Sequence, residues 1–274
     1  QLSSTQTQEA AAGKMVTLNS TDAAKGLTNA NGVVTVAEAG TYFVIAAGQV
    51  GATTPAGRGS VRLWMRANGK DVENSNTEQT VTPGFTAVLV CQGIVEAKAG
   101  DKIELAQAAT GAGVGMVASK PANEPAVPSM ILTAFKVTDG QYAQLSSTQT
   151  QPAGAAKAVT LNSTDAAKGL TNANGVVTAA EAGAYFVIAA GQVGAAAADG
   201  KGSVRLWARV NGKDVDNSNT EQTVPPGYTA VLVCQGVVEA KAGDKVELAQ
   251  SATGAAVGMV ATKPANEPAV PSLI

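Results

Sequence analysis

The residue types that most often perform acid–base chemistry are sparse in this chain of 274 residues, which contains no histidine. This absence excludes Ser–His and Cys–His nucleophilic pairs and imidazole metal ligands. Glu96, Asp101 and Glu104 are close enough in sequence to suggest paired carboxylates, which could act as a general acid and a general base. Asp101, however, follows Gly100 in a predicted turn, and the two glutamates alternate with apolar neighbours, as solvent-facing strand residues do. We therefore predict solvated carboxylates, no catalytic residues and no enzymatic activity.

The two cysteines, Cys91 and Cys234, occupy the same sequence context, VLVCQG. Two equivalent thiols a domain apart make neither a disulfide framework nor a metal site. A thiol that follows three apolar residues in a strand is typical of a small buried hydrophobic group. The alternative is a disulfide between neighbouring subunits. A nucleophilic role is disfavoured because the sequence offers no basic partner that would lower the thiol pKa.

One polar segment, NSTDAAKGLTNANG at residues 19–32, carries several carbonyl and carboxylate oxygens that could bind calcium. It lacks the dense acidic spacing of a calcium-binding loop, and turn chemistry accounts for its Asn, Thr, Asp and Gly residues. We predict no metal site and no cofactor.

The chain consists of two copies of one sequence. Gln1–Ile131 aligns with Gln144–Ile274 without a gap at an offset of 143, and 22 of the 131 positions differ, so that 131 − 22 = 109 are identical. This period has the size of a whole domain rather than of a solenoid repeat. We predict one domain at 1–140 and a second at 141–274, the last strand of the second being incomplete.

Charge and hydropathy exclude two classes of partner. The formal net charge is −2 with 15% charged residues, and no basic block is present, so we predict no nucleic-acid binding. The apolar stretches have the length of strands, so we predict no membrane insertion.

Short apolar runs bounded by Gly, Asn or Pro predict strands rather than helices. Ala37–Gly51 is apolar at nearly every position. In Gly59–Val72 the side chains alternate in character around Leu63, and Asn68-Gly69 within it is a strong hairpin signal. Nine of the 22 differences between the copies fall in residues 9–15 and 53–58, as expected of surface loops. The pattern predicts an all-β protein of two tandem antiparallel β-sandwiches.

The order of these motifs resembles the jelly-roll superfamily of tumour necrosis factor and the complement globular heads, including its bacterial and viral members. In the first copy the motifs are AGTYFV with Gly40-Thr41-Tyr42, RLWMRANG with Asn68-Gly69, AGDKIELAQ with Gly100-Asp101, and the closing strand SMILTAFKV. The second copy repeats the first three at Gly183-Ala184-Tyr185, Asn211-Gly212 and Gly243-Asp244. The resemblance implies a ten-strand jelly roll with adjacent chain ends, assembly by threes and no catalytic residues.

Some strands are apolar on both faces, including the face expected to point away from the core. If Tyr42 and Val44 point into the sandwich, Phe43 and Ile45 point outward, and Arg62, Trp64 and Arg66 form a second outward row with cation–π character. A subunit interface, a glycan site and a solvated surface are three alternatives for such a row. The candidate interface residues are Phe43, Ile45, Arg62, Trp64 and Arg66, and Phe186, Ile188, Arg205, Trp207 and Arg209.

These features favour a structural protein that forms a homo-oligomer, with a trimer expected, and builds a larger shell or filament. By analogy of fold, a capsid decoration, head-fibre or surface-appendage subunit at the virion surface or outside the cell is expected. The alternative is a carbohydrate- or receptor-binding adhesin that holds a surface glycan at the 53–58 loops or at the tryptophan rows.

The second copy stops at Ile274, the equivalent of Ile131, whereas the first copy continues through LTAFKV. Half of a central strand would then be missing, which would leave buried backbone groups unpaired at roughly 1–3 kcal/mol each. Three explanations compete: a longer natural chain, a strand donated by a neighbouring chain, and a frayed edge. The absence of Met at position 1 favours the first.

Overall fold

A computed structural model describes residues 1–138, 140–254 and 256–274. All the regular elements among these residues are strands, and the named strand pairs are antiparallel, so the predicted all-β fold of two tandem antiparallel sandwiches is confirmed. The chain divides into two compact units. Unit 1 comprises Gln1–Thr138 together with Ala265–Pro268, and unit 2 comprises Asp139–Pro264 together with Ala269–Ile274.

Unit 1 contains fourteen strands: β1 (Leu2–Ser4), β2 (Gln8–Glu9), β3 (Lys14–Met15), β4 (Ser20–Thr21), β5 (Leu27–Ala30), β6 (Val33–Val36), β7 (Gly40–Ala52), β8 (Gly59–Ala67), β9 (Lys70–Asp71), β10 (Thr77–Val81), β11 (Thr86–Ala97), β12 (Lys102–Ala109), β13 (Val114–Met116) and β14 (Met130–Val137).

The described residues of unit 2 form thirteen strands: β15 (Tyr142–Ser146), β16 (Gln151–Pro152), β17 (Lys157–Ala158), β18 (Ser163–Lys168), β19 (Leu170–Ala173), β20 (Val176–Ala179), β21 (Gly183–Ala195), β22 (Gly202–Val210), β23 (Lys213–Asp214), β24 (Thr220–Val224), β25 (Thr229–Ala240), β26 (Lys245–Ala252) and β27 (Val257–Met259).

The first sheet of unit 1 is organised around the long strand β7. On one side β7 pairs with β11 over its whole length, and on the other it pairs with β14 and, near its end, with β13. β14 also pairs with β1, so the first and last strands of the unit lie side by side within the sheet. The second sheet has the order β10-β8-β12-β6-β5, with β3 on β12 and β9 on β8.

The core of unit 1 follows the period of two that strands impose. Tyr42, Val44 and Ala46 of β7 are buried, and the intervening residues are half-buried. Other strands of the two sheets contribute further large side chains with less than 2% exposure: Leu89 and Leu132 beside β7, and Leu63, Met65, Ile103 and Leu105 from the second sheet.

The hairpin predicted at Asn68-Gly69 is formed, and it connects β8 to β9. Asn68 and Gly69 have φ values of 50° and 75°, in the left-handed region that a tight turn between β8 and β9 requires. Gly100, with φ 88°, occupies the predicted Gly-Asp turn between β11 and β12.

Unit 2 repeats the second sheet as β19-β20-β26-β22-β23, with β17 on β26 and β24 on β22. Its first sheet is divided into a pair, β15-β18, and a set of four, β16-β27-β21-β25. Leu273 and Ile274 correspond to the first two residues of β14, and Leu273 forms isolated bridges to Ser147 and to Gly191. Along Gly183–Ala189, β21 therefore pairs with β25 alone among the described strands.

Candidate functional site

The predicted alternation of β8 is present, but the outward row is not exposed. Val61, Leu63 and Met65 have no exposed surface and point into the sandwich. On the opposite face Arg62 is 7% exposed and Trp64 is 3% exposed. The row is covered by residues that the alternating pattern did not identify.

Trp64 is covered by its own unit. The indole packs with Ala106 and Ala108 of β12, and Met15 of β3 lies against this cluster. Its Nε1 donates a hydrogen bond to Asp71 Oδ1 at 2.8 Å. The indole is therefore both shielded and satisfied, and a glycan has no exposed ring to stack on there.

Trp207 has the same arrangement in unit 2. It is 7% exposed, and its Nε1 donates to Asp214 Oδ1 at 2.7 Å. The predicted cation–π contact occurs in this unit, where the Arg209 guanidinium carbon lies 5.4 Å from the ring centroid. Arg209 Nε also donates to Asp214 at 2.5 Å. The hydrogen bonds from Arg209 and then Trp207 lower the pKa of Asp214.

Arg62 forms a buried charge cluster in unit 1. Its Nε and Nη2 donate to the two carboxylate oxygens of Glu267 at 2.5 and 2.8 Å, and its Nη1 donates to Glu78 at 3.1 Å. Burial alone would lower the Arg62 pKa, but the hydrogen bonds to the two carboxylates outweigh it and raise that pKa. Asn76 is fully buried beside this cluster and donates to the Pro268 carbonyl at 2.9 Å.

Arg205, the equivalent of Arg62, lies in a more open environment. It pairs with Glu221 at 2.5 Å, and the two side chains are 37% and 44% exposed. The same sequence thus makes a buried two-carboxylate cluster in one unit and a solvated ion pair in the other.

Apolar side chains form a row across the first sheet of each unit. Phe43 pairs across strands with Phe135 on one side and with Ile94 on the other, and the two phenylalanine ring centroids are 5.4 Å apart. Phe135 is 52% exposed, whereas Phe43 and Ile45 are half-buried.

The corresponding row in unit 2 is more open. Phe186 and Val237 are directly paired on β21 and β25 and are 59% and 63% exposed. Ile188, two residues further along β21, is half-buried. Contiguous exposed apolar side chains on a sheet face are typical of an interaction surface.

The three carboxylates considered for catalysis have structural partners or lie in solvent. Asp101 accepts from the Lys98 amide at 2.8 Å, and this backbone hydrogen bond, followed by the Asn68 side chain, lowers its pKa. Glu104 accepts from the Gly69 amide at 3.1 Å, and Glu96 is exposed.

Both thiols are free and buried, in line with their interpretation as small hydrophobic groups. Cys91 Sγ donates to the Ser75 carbonyl at 3.2 Å, and Cys234 Sγ donates to that of Ser218 at 3.1 Å. Burial raises the pKa of each thiol, which disfavours the reactive thiolate.

The oxygens of the polar segment 19–32 are engaged in local hydrogen bonds. Asn19 Oδ1 accepts from the Thr5 amide, Asp22 Oδ1 from Ser3 and Ser20, and Asn29 Oδ1 from the Gly32 amide. Among the described residues, no group of three or more Cys, Asp or Glu side chains is arranged to hold a metal ion.

Sequence reasoning missed Met15, Phe135 and Glu267. Phe135 could have been identified from the sequence, because β14, like β7, carries apolar residues on both faces. Glu267 lies 205 residues from Arg62, so local patterning contained no signal for their contact.

No helix in the described part of the chain is long and apolar enough to cross a membrane. No family model matches the chain, and no curated protein matches it. Among solved structures, it is similar at 9% identity to the N-terminal tandem CBM22-1-CBM22-2 domain of Paenibacillus barcinonensis Xyn10C, over 92% of this chain and 91% of that one, with a TM-score of 0.23.

Two other solved structures show weaker similarity. An anti-sigma factor domain-containing protein is 14% identical over 88% of this chain and 80% of that one, with a TM-score of 0.19. The GH78 family rhamnosidase of Bacillus sp. GL1 is 10% identical over 90% of this chain and 34% of that one, also with a TM-score of 0.19. Scores this low carry no argument about function.

Proposed function

We propose that the chain is a non-enzymatic structural protein that assembles with further copies of itself through the outer faces of its two jelly-roll units. The observation that carries the proposal is the apolar row on the first sheet of each unit, with Phe43 and Phe135 in one and Phe186 and Val237 in the other. Burying Phe186 against a partner would contribute on the order of 1.5–3 kcal/mol.

The strand order supports membership of the tumour necrosis factor and complement globular-head superfamily. In unit 1 the first and last strands, β1 and β14, lie side by side, and β14 lies between β1 and β7. By analogy with that superfamily, three chains would bring six jelly rolls together, and the assembly would decorate a virion, a head fibre or a cell surface.

Multi-angle light scattering and electron microscopy of the native protein test this proposal. The expected result is a mass of three chains of 27.2 kDa each, together with images of a closed or extended assembly. A single species of 27.2 kDa at micromolar and higher concentrations would overturn it.

A carbohydrate-binding function is the second candidate, and the exposed Thr54–Ala56 region favours it because the copies differ most there. A glycan array of the wild-type chain tests this candidate. The informative variant exchanges residues 53–58 for their equivalents 196–201, because the buried Trp64 would confound a Trp64→Ala substitution. Reproducible binding that changes with the exchange would favour this function over assembly.

A further inference from the structure

Unit 1 contains a short segment from the second repeat, Ala265–Pro268, with the sequence Ala-Asn-Glu-Pro. Its Glu267 forms the bidentate pair with Arg62, and its Pro268 carbonyl accepts from Asn76. We name Arg62, Asn76 and Glu78 the acceptor site of unit 1, and the Ala-Asn-Glu-Pro segment the ANEP loop.

The first repeat carries an identical ANEP loop at residues 122–125. Both loops are closed by an antiparallel bridge, Ser119 to Val127 in one and Thr262 to Val270 in the other. Asn123 and Asn266 have nearly the same left-handed φ, 64° and 60°. The two loops therefore share sequence and backbone shape, but residues 122–125 are exposed, and the structure shows no salt bridge from Glu124 to any described residue.

The second repeat carries an identical acceptor site, Arg205, Asn219 and Glu221. Arg205 is directly paired with Glu221 in the strand register, as Arg62 is with Glu78. Asn219 is exposed, whereas Asn76 is fully buried under the ANEP loop that its side chain contacts. The chain thus has one occupied acceptor site, one open acceptor site and one solvent-exposed ANEP loop.

We propose that the ANEP loop at 122–125 of one chain docks on the acceptor site Arg205, Asn219 and Glu221 of a second copy of the chain. Glu124 would take the place on Arg205 that Glu267 takes on Arg62, and the Pro125 carbonyl would accept from Asn219. A bidentate guanidinium–carboxylate pair fixes orientation as well as charge. The contact joins two different surfaces, so it propagates from chain to chain until a ring closes or a filament grows. The inference rests on the proposed function and adds to the apolar row a second contact, which involves β22 and β24 of the second sheet.

Charge reversal separates this contact from other modes of assembly. In Glu124→Arg the loop repels Arg205, and in Arg205→Glu the acceptor repels Glu124. We expect each variant to remain at the mass of one chain at concentrations where the wild type associates, with a dissociation constant raised about 30-fold or more. An equimolar mixture of the two variants should assemble, because the arginine introduced in the loop of one variant matches the glutamate introduced in the acceptor site of the other. The remaining loop and site are wild type and can pair as before.

Glu181→Arg, at an exposed glutamate in the turn before β21, is the matched control and should associate like the wild type. Sedimentation velocity gives the masses, and circular dichroism melting establishes that each variant is folded. Glu124→Gln, which removes charge without reversing it, should weaken association in the same direction and by less. Variants that assemble like the wild type would overturn this inference and leave the proposed function intact, whereas a wild type that never associates would overturn both.

Discussion

The two units place identical side chains in different surroundings. In unit 1, β7 has a paired strand on each side, β11 and β14, whereas in unit 2 the first half of β21 has only β25 among the described strands. Phe43 is half-buried against Phe135, but its equivalent Phe186 is 59% exposed. The burial of a side chain therefore depends on the strands beside it as well as on its own type. Making the same substitution in both copies separates the contribution of the side chain from that of its surroundings.

The arginine pair should show the largest difference between the units. Arg62→Ala leaves the carboxylates of Glu78 and Glu267 without their buried cation, so we expect it to lower the free energy of unfolding of unit 1 by about 3–5 kcal/mol. Arg205→Ala removes a solvated pair and should cost about 0–1 kcal/mol in unit 2.

Urea unfolding followed by thiol labelling measures the two effects separately, because Cys91 and Cys234 are each buried in a different unit. Equal losses in the two units would contradict the contrast between a buried cluster and an open pair.

The pair Met65 and Ala208 tests how the two cores fill equivalent space. Met65 is fully buried, and its equivalent Ala208 is 4% exposed. Met65→Ala should cost unit 1 about 2–4 kcal/mol through lost contacts and a cavity. The double variant Met65→Ala, Ala67→Val reproduces the residues of unit 2 and should recover about 1 kcal/mol, since it adds two methyl groups. No recovery, by the same labelling assay, would show that position 67 does not fill this space.

A matched glutamine pair should show no difference between the units. Gln107 and Gln250 are fully buried, and neither side-chain amide reaches a hydrogen-bond partner among the described residues. Gln107→Leu and Gln250→Leu should each stabilise their own unit by about 1–2 kcal/mol, because an unsatisfied buried amide carries a desolvation penalty. Destabilisation in both would instead indicate that an ordered water pairs with the amide.

The sequence predicted interactions between neighbouring residues better than interactions between residues far apart in the chain. Local signals predicted the hairpin at Asn68-Gly69, the inward side chains of β7 and the buried thiols, because turn conformation and strand alternation are properties of a few neighbouring residues. Arg62 was predicted as an interface residue, but its contact with Glu267 was not, because the two residues are 205 positions apart in the sequence. Trp64 was predicted on the correct face, but its packing against Met15 was not, since the pattern of β8 alone contains no information about β3.

The phenylalanine pair should show a smaller contrast. Phe43→Ala removes a half-buried ring and its contact with Phe135, and should cost unit 1 about 1–2 kcal/mol. Phe186→Ala removes a mostly exposed ring and should change the stability of unit 2 by less than about 0.5 kcal/mol in the unassociated chain. A double-mutant cycle of Phe43→Ala with Phe135→Ala should give a coupling of about 0.5–1.5 kcal/mol. A cycle without coupling would mean that the two rings do not interact.

The smallest effect concerns the pH response of the exposed Asp214. Arg209 Nε and Trp207 Nε1 donate to it at 2.5 and 2.7 Å and lower its pKa, whereas in unit 1 Arg66 Nε lies 3.0 Å from Asp71. Because the folded pKa is lowered, the stabilisation is fully present above the ordinary aspartate value of about 3.9 and is lost as the pH falls through the folded pKa. Arg209→Ala should move the Asp214 titration upward toward the ordinary value, followed by carbon NMR of its carboxyl group. Trp207→Phe should raise the Asp214 pKa by less, because the hydrogen bond from Arg209 lowers that pKa more than the one from Trp207 does. An equal or larger rise in Trp207→Phe would contradict this ranking of the two hydrogen bonds.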